Sequence, residues 1–202
     1  MISKSKIFHM MLVALAALGL TASSAVAQNN PMVGGAAMYR NKDIVDNAVN
    51  SADHTTLVAA VKAADLVGTL KGKGPFTVFA PTNAAFDKLP AGTVDTLLKP
   101  ENRETLTKVL TYHVVAGKYD GKKLMSLIKR GGGTATLKTV SGGTLTFTMG
   151  DAMMGGNMMN DKKSKSLIVR DEKGGTSNVT ISNVYQSNGV IHVVDTVLMP
   201  GM

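Results

Sequence analysis

Residues 75–90, PFTVFAPTNAAFDKLP, constrain the fold most, because an apolar run meets a proline and a helix start within a few residues. Successive side chains on a strand point to opposite faces, so Phe76 and Val78 are expected on one face and Thr77 and Phe79 on the other. The stretch predicts a strand that turns directly into a helix. Such a corner sets the angle between a sheet and a helical layer.

The strand is expected to end at Pro81, because proline has no backbone N–H to donate to a neighbouring strand. Asn83 is the predicted N-cap of a short helix over Ala84–Lys88, since its side chain can accept a hydrogen bond from a free backbone N–H. Near the C-terminus, residues 188–200 (NGVIHVVDTVLMP) are apolar on both alternating faces, which is typical of a buried strand. We expect this second stretch to lie beside the first.

The N-terminus has the layout of a secretory signal peptide over residues 1–27. Two lysines precede an uncharged apolar run, and Ala-Val-Ala then supplies small residues for cleavage. The run is short for a membrane span, so we predict cleavage and export to the periplasm or the outside of the cell. Residues 28–40 hold a proline and paired glycines without periodicity. They are predicted to form a flexible leader to one domain over residues 41–200.

The composition excludes several classes of protein. The chain has no cysteine, which excludes thiol catalysis and cysteine metal sites. Cleavage would remove two lysines and no acidic residue, so the net charge of +8 would fall to +6. The remaining basic residues occur in short dispersed pairs, whereas nucleic-acid-binding proteins concentrate them with aromatic residues. We interpret the charge as a source of solubility and of weak attraction to anionic surfaces or polysaccharide.

The spacing of apolar residues changes along the chain. Before the glycines at 131–133 it is helical, and Asp120 is the predicted cap of a helix over Lys122–Lys129. After these glycines the apolar residues alternate, which is typical of strands. The predicted strands are Thr134–Val140, Thr144–Met149, Ser166–Arg170, Val179–Val184 and Gly189–Leu198. Helices followed by strands favour an α+β fold over an alternating parallel α/β fold.

Sequence motifs for catalysis are missing. The chain has neither a GxSxG serine elbow nor a GxxxxGK[ST] phosphate loop. His54, His113 and His192 lie far apart in sequence, so we interpret them as buried, hydrogen-bonded groups and not as ligands or bases. His192 and Asp195 are three residues apart, which on a strand sends them to opposite faces and prevents a relay. We predict no enzymatic activity and no cofactor.

The segment 150–165 has neither helical nor strand periodicity and is predicted to be an exposed loop or a hairpin tip. Thioether sulfurs are soft ligands that suit Cu(I), so the Met-rich loop 149–159 offers an alternative function as a periplasmic Cu(I) carrier. Its candidate ligands are Met153, Met154, Met158 and Met159. The competing interpretation is an apolar loop that contacts a partner or simply tolerates methionine.

Three stretches resemble the fasciclin domain family. FTVFAPTNAAFDKLP is similar to the first signature box, NGVIHVVDTVLMP is similar to the second, and TYHVVAGKY resembles the Tyr-His segment between them. All three occur in the family's order, and the resemblance extends over residues 43–200. It implies a single domain in which N-terminal helices pack on a wedge of two β-sheets. The residues that the resemblance marks as structural are Phe79, Pro81, Thr82, Asn83, Phe86, His192 and Asp195.

The resemblance also implies a function. Family members are secreted or surface-attached, and they serve adhesion to matrix, cells or polysaccharide instead of catalysis. In animal relatives the Tyr-His region contributes to receptor binding, which makes Tyr112, His113, Val114 and Val115 candidates for binding, with core packing as the alternative. On the predicted strand Tyr112 and His113 would face opposite ways. We predict an exported, non-enzymatic binding or adhesion module that contacts surface polysaccharide, matrix or a protein partner, without a membrane span after cleavage.

Overall fold

The computed structural model describes residues 30–151 and 165–201. Its α-helices are Ile44–Ala48 (α1), Thr55–Ala63 (α2), Val67–Lys71 (α3), Asn83–Asp87 (α4), Thr93–Leu98 (α5), Arg103–Tyr112 (α6) and Gly121–Arg130 (α7). Its strands are Met32–Val33 (β1), Ala36–Ala37 (β2), Phe76–Pro81 (β3), Val114–Ala116 (β4), Thr134–Lys138 (β5), Thr144–Asp151 (β6), Lys165–Arg170 (β7), Thr176–Gln186 (β8) and Gly189–Val194 (β9). Short 3₁₀ turns precede α2 and α6.

Seven strands form one hydrogen-bonded series in the order β4-β3-β9-β8-β7-β6-β5. The pair β3 and β9 is parallel, which confirms that residues 188–200 contain a strand beside the first stretch. The start of β8 pairs with β7, and from Val179 onward β8 pairs with β9, with two register shifts between Val179 and Val184. Such irregularities bend a strand, so the series divides into two arms. One arm consists of β4, β3, β9 and the later part of β8, and the other consists of β5, β6, β7 and the start of β8. The backbone N–H of Val140 donates to Val114 O at 2.8 Å, which brings the outer ends of the two arms together.

The helices and the wedge of sheet confirm the predicted α+β single domain. One apolar core lies between the helices and one face of β3, and a second lies between the two arms. Phe76 and Val78 belong to the first core, whereas Phe79 belongs to the second, as the alternation predicted. The Phe79 ring packs 5.2 Å from Phe147 and 5.5 Å from His192, centroid to centroid. Strand β3 therefore separates the two cores.

The corner after β3 differs from the prediction by one residue. Thr82, not Asn83, is the N-cap of α4, and its Oγ1 accepts from Ala85 N at 3.3 Å. Asn83 occupies the first helical position, where its side chain bonds outside its own helix. It donates to Ala52 O at 2.8 Å and accepts from Thr56 N at 3.0 Å. Asn83 therefore joins the corner to the start of α2. The predicted cap at Asp120 is confirmed, because its Oδ1 accepts from the N–H of Lys123.

The described part of the predicted leader, from residue 30 to residue 40, is folded, so the expectation of flexibility is wrong there. Strands β1 and β2 form a small hairpin around Gly34 and Gly35, which both have positive φ. Val33 and Met38 are only 4% and 2% exposed and belong to the first core. Their apolar area drives this segment onto the domain, because burial removes it from water. The predicted signal peptide, residues 1–27, lies outside the described residues.

Strands β6 and β7 pair up to Asp151 and Lys165, so the Met-rich segment connects two neighbouring strands. Residues 152–164, including the four candidate copper ligands, lie outside the described residues. None of the helices in the described ranges is long and apolar enough to cross a membrane.

Candidate functional site

The segment Tyr112–Val115 is buried, which favours core packing, the alternative to its predicted role in binding. Tyr112 ends α6 and His113 follows it, so the expected strand starts only at Val114. The four side chains are 0%, 3%, 6% and 2% exposed. The Tyr112 hydroxyl donates to Thr144 O at 2.7 Å, and burial raises the pKa of Tyr112 to about 12. Tyr112 and Val115 belong to the second core, and Val114 belongs to the first.

His113 connects α6 to the C-terminal segment. Its Nδ1 lies 2.9 Å from Val109 O, which can only accept, so Nδ1 carries the proton. Its Nε2 accepts from Leu198 N at 3.0 Å. Burial lowers the pKa of His113 to about 4, because the charged imidazolium would lose its water. His113 is thus a neutral structural link.

His192 and Asp195 have separate partners and do not form a relay. His192 Nε2 lies 2.8 Å from Tyr119 O, and burial lowers the pKa of its ring. Asp195 follows β9 and accepts from Ser177 Oγ at 3.1 Å and from Asn178 N at 2.8 Å. Within residues 30–151 and 165–201, no three His, Asp or Glu side chains are grouped to hold a metal. The other residues of the signature lie in the core or at its corner.

A group of exposed cations over aromatic rings is centred on Tyr185 of β8. Arg40 Cζ lies 4.8 Å from the centroid of the Tyr185 ring, and Lys118 Nζ lies 5.0 Å from it. Lys123 Nζ lies 4.3 Å from the centroid of Tyr119. The Tyr185 surface consists of Arg40, Lys118, Tyr119, Lys123 and Tyr185. The three cations are exposed and the two rings are half-buried, and each cation lies over one of the rings.

One carboxylate fixes this surface in place. Asp120 Oδ1 caps α7 through Lys123 N at 2.9 Å, and its Oδ2 accepts from the Tyr185 hydroxyl at 3.2 Å. The bond from Lys123 N holds the pKa of Asp120 below its usual value, and the Tyr185 hydroxyl acts in the same direction. Lys123 Nζ also donates to Lys118 O at 3.3 Å. Asp120 therefore holds the start of α7 and strand β8 together.

The cations of the Tyr185 surface are available for an anion. In the part of the chain that the structure describes, ion pairs involve Lys71, Lys88 and Arg103, and none involves Arg40, Lys118 or Lys123. Both Arg40 and Lys118 lie about 5 Å from one ring centroid, so they are within about 10 Å of each other. An arginine can bind an oxyanion with two parallel hydrogen bonds, and a lysine adds a point charge. This arrangement fits a partner that carries several anionic groups.

Sequence reasoning missed this surface because its members come from three separate segments. Arg40 precedes α1, and Tyr185 lies near the end of β8. Lys118 and Tyr119 lead into α7, and Lys123 lies in its first turn. The only local signal was the cluster of lysines beside Tyr119.

A family model and several curated proteins match this sequence. The Fasciclin domain model matches residues 52–200. Protein sll1483 from Synechocystis is 43% identical over 94% of this chain and 88% of its own length. Immunogenic protein MPB70 from Mycobacterium bovis is 36% identical over 76% of this chain and 66% of its own length.

Cell surface glycolipoprotein MPB83 from Mycobacterium bovis is 31% identical over 91% of this chain and 72% of its own length. A solved FAS1 domain pair from the insect cell adhesion molecule fasciclin I aligns with a TM-score of 0.47 and 20% identity, over 69% of this chain and 40% of that chain. The family model covers most of the chain, and the relatives match it at 31–43% identity. The chain belongs to the fasciclin domain family.

Proposed function

We propose that this protein is an exported, non-enzymatic binding module that attaches to acidic polysaccharide through the Tyr185 surface. The observation that carries the proposal is that Arg40 and Lys118 share one tyrosine ring and have no carboxylate partner among the described residues. Membership of the fasciclin family supports a binding or adhesion role. A relative named as a cell surface glycolipoprotein supports a place outside the cytoplasm.

The structure lowers the entropic cost of binding at this surface. Long basic side chains lose rotamer freedom when they bind, which costs about 0.5–1.5 kcal/mol for each immobilised side chain. Arg40 and Lys118 already rest on Tyr185, and cation–π contact at an exposed site contributes about 0.5–1 kcal/mol. Part of that freedom is therefore lost before the partner arrives.

The absence of an apolar centre favours a polysaccharide over a protein partner. Stable protein interfaces usually have a buried apolar core surrounded by polar residues. Among the described residues, the exposed large hydrophobic side chains are Met32, Tyr39, Val49, Met125 and Val140, and none belongs to the Tyr185 surface. An acidic polysaccharide instead presents repeated carboxylate or sulfate groups, which match several cations at once.

The test measures binding of the purified protein to polygalacturonate and heparin, with neutral dextran as the negative control. The triple variant Arg40→Gln/Lys118→Gln/Lys123→Gln removes the three cations. The matched control replaces three other exposed lysines, Lys99, Lys108 and Lys129, with glutamine and causes the same change in net charge. We expect the first variant to weaken binding at least tenfold, and the control to change it less than threefold.

Salt dependence provides a second measurement. Screening of exposed charges grows with ionic strength, so affinity is expected to fall between 50 and 200 mM NaCl in the wild type and to fall less in the triple variant. Equal losses in the two triple variants would show that only net charge matters and would overturn the proposal. Binding only to anionic lipid vesicles or to a protein, and to neither acidic polymer, would also overturn it.

The export part of the proposal has its own test. The protein recovered from the periplasm or the medium is expected to begin at Gln28, as intact-mass measurement would show. Retention of residues 1–27 in the recovered protein would contradict it.

A further inference from the structure

A second feature, independent of the Tyr185 surface, is an apolar cavity between the helices and the sheet. It has a volume of about 110 Å³ and lies between α1, α2, α3 and α6 on one side and β3, β4 and β9 on the other. Its walls are almost entirely hydrocarbon. Its aliphatic lining includes Val58, Val61, Leu66, Leu70, Val78 and Ile191.

The cavity reaches solvent at one side. Lys62, Thr69 and Val140 line it and are exposed, and Val140 is 47% exposed although it is a large hydrophobic residue. His113 forms part of the inner wall, but both of its ring nitrogens are already hydrogen-bonded to backbone atoms. The cavity therefore offers no free polar group in its interior and has an entrance with an apolar edge.

We propose that this cavity is a binding site for a compact apolar molecule of about the size of one six-membered ring. An apolar cavity of about 150 Å³ lined by aliphatic and aromatic side chains stays dry and binds benzene. The cavity here is somewhat smaller and has the same lining chemistry. Sites for larger ligands usually measure about 300–1,000 Å³, so an extended lipid chain does not fit.

The burial of a ring in this site is driven by two effects. The ligand leaves water, and the side chains around the empty space gain dispersion contacts that they otherwise lack. Neither effect needs a polar contact, so the site is expected to select by size and shape. Substituents that carry a charge are expected to abolish binding, because the walls have nothing to solvate them.

The experiment titrates the purified protein with benzene and follows the methyl groups by ¹³C NMR. Methyl signals of Val58, Val61 and Ile191 are expected to shift and to saturate. Signals of Val169 in the second core are expected to stay in place. Benzene at about ten times its dissociation constant is expected to raise the Tm by about 3–5 °C.

A pair of matched substitutions connects the effect to the cavity. Val58→Phe adds bulk at a half-buried wall residue of α2 and is expected to weaken benzene binding at least tenfold. Val49→Phe makes the same change at a position that is 48% exposed and outside the cavity, and it is expected to leave binding unchanged. If Val58→Phe does not fold, Val67→Phe fills the same cavity from α3.

Several results would overturn the proposal. Shifts that grow linearly with benzene, or that appear equally at Val169, would indicate unspecific contact. Full binding by the filled variant would place the ligand elsewhere. Palmitate that shifts the same methyl groups with higher affinity than benzene would refute the size limit. Loss of polysaccharide binding has no bearing on these readouts, so the two proposals fail separately.

Discussion

Mild acid is expected to destabilise the domain through His113. The ring is buried, with its Nδ1 proton bound to Val109 O and its Nε2 accepting from Leu198 N. Protonation would place a second N–H opposite the N–H of Leu198, so that a donor would face a donor. The charge would also lie in a part of the protein without water. Each effect favours the neutral ring in the folded state.

The magnitude follows from the two pKa values of this group. Burial lowers the pKa of His113 from 6.5 to about 4 in the folded protein. Between pH 6.5 and pH 4 the unfolded chain therefore binds more protons, and the free energy of unfolding falls as the pH falls. Applying this linkage from pH 7 to pH 5 gives a loss of about 2 kcal/mol from His113 alone. Below the folded pKa no further loss comes from this residue.

Urea unfolding at pH 7, 6 and 5, followed by far-UV circular dichroism, measures this loss. The variant His113→Gln keeps an acceptor and a donor but cannot titrate, so its free energy of unfolding is expected to fall by about 2 kcal/mol less than that of the wild type. Val109→Ala is the control, because it weakens the same region without removing a titrating group. Its curve is expected to run parallel to the wild-type curve.

The choice of pH range and the comparison of wild type with His113→Gln exclude the contributions of other titrating groups. Burial also lowers the pKa of His54 and of His192, so the free energy of unfolding of the wild type falls by more than the contribution of His113 alone. The contribution of these two histidines is also present in His113→Gln, so it cancels when the two proteins are compared. Carboxylates with lowered pKa, such as Asp120, keep their charge at pH 5 and contribute only in stronger acid. If His113→Gln showed the full wild-type loss between pH 7 and pH 5, the reasoning would be refuted.

Three further predictions concern the signature residues and the Met-rich loop. Asp195→Ala is expected to lower the free energy of unfolding by about 2 kcal/mol and the Tm by about 4–8 °C, because it removes the acceptor of Ser177 and Asn178; an unchanged Tm would contradict this. Asn83→Ala is expected to cost about 1–2 kcal/mol in urea unfolding, at least as much as Thr82→Ala, and a neutral Asn83→Ala would reject its role in joining α4 to α2. If the loop 149–159 carries Cu(I), the stoichiometry in equilibrium dialysis is expected to fall when its four candidate methionines are replaced by leucine, whereas an unchanged stoichiometry eliminates that alternative.

Local chemistry made much of the scaffold predictable. The alternation of Phe76 to Phe79 and the cap at Asp120 depend on neighbouring residues, and both occur as expected. The cap of α4 was misplaced by one residue, since Thr82 and Asn83 are both good N-caps and only the path of the chain decides between them. The partnership of Asn83 with α2 is a contact between distant segments, which a local pattern does not contain.

Two features depend on tertiary structure. They are the burial of the N-terminal segment and the assembly of the Tyr185 surface. Val33 and Met38 occur in a stretch without periodicity, and they are buried because the hairpin packs on the first core. Arg40, Lys118 and Tyr185 come together only when β8 and the start of α7 are adjacent. No spacing rule connects such positions, so the sequence directed attention to the Tyr-His segment, whose side chains are buried.

The buried signature residues and the exposed cations differ in what their substitution is expected to change. Phe79, His192 and their neighbours on β3 and β9 belong to both cores or their boundary, so changes there act first on stability. Arg40 and Lys118 lie on the outside of the domain, where losing one cation–π contact is expected to cost at most about 1 kcal/mol of stability. Substitutions at the Tyr185 surface are therefore expected to change the proposed binding to polysaccharide while the two signature strands keep the scaffold.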